Sequence, residues 1–140
     1  MGLKWEQGSV SVFAVAALIL GFLMVVAVAG IGQVIVARER VVAAAEAGAL
    51  AAAPVTFRPF GASGSAAVEA DRLVRANGAT LVRCDCSHNP RYDSRTATVT
   101  ARLRVAVLGF QEIDLEHTAA AEFRPVDLIS GPGWEPAGQG

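Results

Sequence analysis

Residues 10–37 read VSVFAVAALILGFLMVVAVAGIGQVIVA, a run in which Ser11 and Gln33 are the only polar side chains. At about 1.5 Å per residue, a helix over this run would be roughly 42 Å long. The hydrocarbon core of a bilayer needs only about 20 residues. Such a helix has no polar face to turn to water, so the run reads as membrane-associated, spanning with a tilt or with one end protruding. Charge leaves its orientation open. Lys4 precedes the run, Arg38 and Arg40 follow it, and each side carries one acid, Glu6 or Glu39.

Upstream of the run stands MGLKWEQG, and three readings of this start compete. The first is a cleaved secretion signal with Ala27-Val28-Ala29 as its small-x-small site before Gly30. Against it, the apolar stretch ahead of that site exceeds the usual 7–15 residues or so, and cleavage would leave IGQVIVA as a greasy stump. The second is an uncut single-pass anchor. The third is a prepilin-type leader, cut between Gly8 and Ser9 on the cytoplasmic side with the apolar helix retained; a glycine there lets a protease approach the backbone closely.

Downstream, RERVVAAAEAGALAAAP is alanine-rich, and alanine is the best helix former, so the helix should continue to about Ala53 and stop ahead of Pro54. The surface of this extension is nearly all alanine, with Glu46 and Gly48. It reads either as a close-packing surface for an oligomer or filament, or as a plain juxtamembrane stalk. TFRPFGASGS is a loop. AAVEADRLVRANG is a short amphipathic helix capped by Ser65 and stopped by Asn77-Gly78, with Ala66, Ala70, Leu73 and Val74 on one face, a stripe suited to covering a sheet.

The sheet announces itself by alternation. In RTATVTARLRVAVL the odd positions from Ala97 to Val107 are apolar, and the even ones from Thr96 to Arg104 polar. EIDLEHTAAAEF repeats the pattern, with Ile113, Leu115, Ala119, Ala121 and Phe123 on one face. A hairpin around Leu108-Gly109-Phe110 must keep both apolar faces together, and a three-residue loop with matched charges favours one register. It sets Arg104 opposite Asp114, Arg102 opposite Glu116, Val105 on Ile113 and Leu103 on Leu115. An earlier strand, TLVRCDCS, would turn Val82, Cys84 and Cys86 inward, with HNPRYDS as the connecting loop.

Few residues invite chemistry. Cys84 and Cys86 are too few for a zinc site, and a Cys2His2 set with His88 and His117 fits no standard spacing. In a regular strand, residues i and i+2 are too far apart for an unstrained disulfide, so two half-buried thiols are expected. Glu112, Asp114 and Glu116 share the solvent face, away from His117, and Arg102 and Arg104 account for two of them. No GxSxG, HExxH or phosphate loop is present. A formal net charge of −1 argues against nucleic-acid binding. The tail RPVDLISGPGWEPAGQG reads as disordered.

RERVVAAAEAGALAAA resembles the post-membrane segment of TadE-like pilus-assembly proteins, and RANGATLVRCDC followed by an alternating strand resembles small proteins of the same family. The resemblance runs from about Gly8 to Glu122. It implies a pseudopilin or minor pilin of a Tad-type (type IVb, Flp) pilus, cut by a prepilin peptidase between Gly8 and Ser9, with Glu46 at the acidic position after the helix. Type IV pilins carry Glu at the fifth mature position, where this chain has Phe13. That departure favours a role in the assembly apparatus, or as a non-polymerising minor subunit, over ordinary filament incorporation.

The expectation is therefore an α+β protein: a leader over 1–8, a transmembrane helix over 9–37, an Ala-rich helical extension over 38–53, a linker over 54–64, a small extracytoplasmic domain over 65–124 with a short helix packed on a three-stranded antiparallel sheet, and a tail over 125–140. Its expected partners are the lipid bilayer, a prepilin peptidase and other Tad subunits. No catalysis, cofactor, metal, nucleic acid or small-molecule substrate is expected. The alternatives are an anchored binding protein unrelated to pili, and a secreted protein cleaved after Ala29.

Overall fold

The computed structural model describes residues 7–57 and 64–128. It is α+β: α1 (Gln7–Val55), α2 (Ala66–Ala76), β1 (Thr80–Asp85), β2 (Arg95–Val107), β3 (Gln111–Phe123) and a 3-10 turn at Pro125–Leu128. The strands form one antiparallel sheet in the order β1-β2-β3.

α1 is a single unbroken helix of 49 residues. It does not stop ahead of Pro54, which is accommodated in its last turn and costs only the one bond its missing N–H would have made. Thr56 then closes the helix. Its N–H reaches the carbonyls of Ala52 and Ala53 at 3.2 and 3.3 Å, and its hydroxyl donates to Ala53 at 2.6 Å.

Two halves of α1 meet different surroundings. From Ser11 to Ala29 the side chains face outward all round, Val26 alone being half-buried. Beyond, Gly30, Ala37, Val41, Ala44, Ala45, Gly48, Ala49 and Ala52 are buried, at steps of three and four that trace one helix face. That face lies on the apolar side of the sheet, beside Ala97, Val99, Ala101 and Ala121, and with α2 it makes the core. The alanine-rich segment read as an oligomer surface or a stalk is thus the cover of the chain's own sheet. Alanine reads as neutral in a sequence, but here its small volume lets helix and sheet backbones approach closely.

Gly48 marks the tightest point. A Cβ there would lie 2.8 Å from Val74 Cγ2 and 3.1 Å from Val99 Cγ1, so helix, sheet and α2 converge where no side chain fits. α2 packs Ala66, Ala70 and Val74 against α1 and β1. Ser65 caps it by accepting the Val68 N–H at 3.2 Å. Gly78, at φ 79°, turns the chain out of it into β1, a left-handed conformation suited to glycine.

β2 and β3 pair without slip from Arg95↔Phe123 to Val107↔Gln111, leaving Leu108, Gly109 and Phe110 as the loop. β1 departs from the expected alternation. A bulge between Leu81 and Arg83 turns Leu81 toward the core and leaves Val82 exposed, because an extra residue in one strand flips the faces beyond it. The stretch read as a disordered tail begins instead with the 3-10 turn, whose Pro125 is fully buried; residues 129–140 lie outside the described part of the chain.

Candidate functional site

The element that defines this molecule is α1. Among the described residues it is the one helix long and apolar enough to cross a membrane. Gly8 and Ser9 stand in its first turn, since the helix begins at Gln7; residues 1–6 of the stretch read as a leader over 1–8 lie outside the described residues. Phe13, where a pilin-type glutamate would stand, is 76% exposed on the apolar half.

The structure separates the two residues singled out on the extension. Two positions apart on a helix are about 200° apart in direction, from about 100° per residue. Gly48 accordingly points into the core, while Glu46 is exposed on the opposite side. With Glu39, Ala43, Leu50 and Pro54, Glu46 forms an outward stripe that the chain's own domain leaves uncovered.

The acidic alternation on β3 is taken up by its neighbour strand. Arg104 Nε donates to Asp114 Oδ1 at 3.0 Å, Arg102 Nε to Glu116 Oε1 at 2.6 Å, and the Thr100 and Thr118 hydroxyls meet at 2.9 Å. The hydrogen bond from Arg104 holds the Asp114 carboxyl below its ordinary range, against the opposing effect of desolvation and with lesser help from the positive charges of Arg104 and Arg102. The same bond raises Arg104. His117 sits opposite Ala101 on the inner face, half-buried and away from these acids. Among the described residues no cluster of His, Cys, Asp or Glu could hold a metal ion.

Cys84 and Cys86 are joined in a disulfide, not held as the free thiols expected from a regular strand. β1 ends at Asp85, and the chain bends there enough to bring the two Cα atoms to 5.4 Å, within ordinary bridging range.

A second cluster escaped the sequence. The Thr56 carbonyl at the end of α1 accepts the Asn89 N–H at 3.0 Å, the His88 Nδ1–H at 3.0 Å and Arg95 Nη1 at 3.4 Å. Arg95 also donates to the carbonyls of Asn89, Arg91 and Asp93 and stacks over the Phe57 ring at 5.1 Å. One guanidinium thus ties the 86–94 loop to the end of α1, and an arginine opening a strand gives no sign of that in sequence.

A groove of about 560 Å³ runs between α1 and the part of β2 that β1 does not reach, lined by Gly32, Gln33, Val36, Arg40, Leu103 and Arg104 among others. Its polar lining side chains are Gln33 and Arg40 from α1 and Arg104 from β2.

An apolar helix thus runs on into a compact sheet domain and forms part of its core. Residues 8–55 match the Tad family, described as putative Flp pilus-assembly TadE/G-like. The match starts one residue into α1 and ends at its last residue. The further likeness read in RANGATLVRCDC lies outside the matched residues. No curated protein and no solved structure matches the chain. The family match and the apolar helix together support a role in pilus assembly.

Proposed function

We propose that this protein is a membrane-anchored pseudopilin or minor pilin, or an assembly component, of a Tad-type pilus or related secretion system, and that it works by binding other subunits without catalysis. The observation that carries the reading is α1 itself. The family match covers all of it but Gln7, and it joins an apolar segment to the core of a folded domain in one continuous helix. A prepilin peptidase would cut between Gly8 and Ser9, removing the first two residues of α1 and leaving the rest of the rod. The N terminus would lie in the cytoplasm and the sheet domain outside it. The Cys84–Cys86 disulfide supports that orientation, since disulfides persist in oxidising compartments and are rare in the cytosol.

The outward stripe of Glu39, Ala43, Glu46 and Leu50 is the side of the rod available to neighbouring subunits. Phe13 offers no carboxylate to a neighbour's amino terminus, which favours an assembly or minor role over the bulk filament. Deletion of the gene in a piliated strain should abolish or strongly reduce surface pili, with restoration by the intact gene. Undiminished piliation in the deletion strain would refute the assignment.

A further inference from the structure

The β2–β3 hairpin reaches back along α1 into the apolar run. A Cβ at Gly30 would lie 3.5 Å from Leu108 Cδ1 and 3.7 Å from Val107 Cγ1, and the Leu108 N–H donates to Gln33 Oε1 at 2.9 Å. The tip therefore stands beside residues 30–33, some 10 Å inside the C-terminal end of the run at about 1.5 Å per residue.

This placement bears on where the bilayer ends. A two-stranded tip with an open β2 edge, carrying Arg104, Glu112 and Asp114, cannot enter hydrocarbon, where unpaired backbone groups and charges go unsatisfied. The hydrocarbon must stop at or just below Gly30. What remains of the run, residues 10–29, is about 30 Å long as a helix, the thickness of a hydrocarbon core. The surplus length noted in the sequence is thus taken up by the hairpin. Arg38 and Arg40, two to three turns further on, fall at the watery side of the headgroups.

The tip itself is built for that boundary. Tight turns in water favour Gly, Asn, Asp and Ser, yet this one is Leu108-Gly109-Phe110, with Phe110 84% exposed and Leu108 held at φ 52°. An aromatic ring left this exposed by the described residues, at the level where hydrocarbon gives way to headgroups, matches the interfacial layer.

We infer that residues 108–110 are a second membrane contact, inserting Phe110 into the interfacial layer of the leaflet from which the domain emerges and fixing the domain's height and rotation on the bilayer. The inference rests on the reading of α1 as a membrane-spanning helix, and the test keeps the two apart. Nitroxide labels are placed singly by Phe110→Cys, Leu20→Cys and Tyr92→Cys in the full chain, reconstituted at high dilution in phosphatidylcholine–phosphatidylglycerol vesicles. Tyr92 is an exposed residue of the 86–94 loop. Power saturation against oxygen and a nickel chelate then reads depth.

The expected result is an oxygen-to-nickel accessibility ratio at position 110 several-fold above that at 92 and below that at 20. A ratio at 110 equal to that at 92, with 20 in lipid, overturns the hairpin inference and leaves the anchor standing. A water-like label at 20 overturns both. A label at 110 as deep as that at 20, or one shielded from both reagents by a neighbouring protein, overturns the interfacial placement. As a second readout, Phe110→Trp with Trp5→Phe and Trp134→Phe should be quenched by lipids brominated near the headgroup more strongly than by those brominated at the chain ends; the reverse order contradicts the inference.

Discussion

The Leu108 N–H donates to Oε1 of Gln33 at 2.9 Å, linking positions 75 apart in the chain and pinning the hairpin tip to α1. Gln33 is the sole polar side chain in the second half of the apolar run, and it is spent on this contact. Gln33→Leu should leave the amide without its partner and lose about 1 kcal/mol locally. Amide hydrogen exchange at Leu108 should then speed up roughly fivefold, from about 1.4 kcal/mol per tenfold, with the sheet centre unchanged. Unaltered exchange at Leu108 would show that the bond does not hold the tip.

Gly48 and Glu46 should respond in opposite ways. Gly48→Ala gains about 1 kcal/mol of helix propensity but drives a methyl into Val74 and Val99, an overpacking cost of about 1–3 kcal/mol. The added methyl has little room to yield, so a net loss is expected, with a fall in Tm of about 4–8 °C per kcal/mol. Glu46→Ala, on the exposed side, should stay within about 0.5 kcal/mol of the parent. Thermal unfolding followed by circular dichroism in detergent compares them, and a stabilised Gly48→Ala would contradict the packing described.

The disulfide closes a very short loop, so it stabilises modestly. For three residues the chain-entropy relation gives about 1.6 kcal/mol. Cys84→Ser with Cys86→Ser should lower stability by that order without unfolding the domain. In cells, both thiols should resist maleimide until a reductant is added. Free thiols in freshly quenched cells would contradict an extracytoplasmic domain.

Asp114 carries a pH signature. Its carboxyl titrates below the ordinary 3.8 in the folded chain because Arg104 hydrogen-bonds it. The pair's contribution is therefore complete above that ordinary value and is lost as pH falls through the lower folded value. Asp114→Asn should be slightly less stable than the parent at neutral pH, and the two unfolding curves should converge in strong acid. The pair is solvent-exposed, so the gap should be small and should shrink with salt. A gap that widens on acidification would contradict the assignment.

What was legible in the sequence follows from period and charge. β2 and β3 alternate so regularly that a slip of one residue would turn every apolar side chain outward, and a three-residue loop then sets Arg102 and Arg104 opposite Glu116 and Asp114. The apolar run was equally plain. Alanine hid the main packing event: Ala44, Ala45, Ala49 and Ala52 face the sheet, and Glu39 and Glu46 alone give polar contrast in an outward stripe that otherwise holds Ala43, Leu50 and Pro54. The bulge beside Val82 and the bend after Asp85 that allows the disulfide are departures from the regular strand that the expectation assumed. Arg95 was invisible because its partners are carbonyl groups, which every residue has.

The mass of the mature chain, isolated from cells that contain a prepilin peptidase, tests the central claim most directly. A retained α1 behind a removed leader predicts a chain that starts at Ser9. A chain starting at Met1 in such cells, or at Gly30 after loss of the apolar helix, would contradict it.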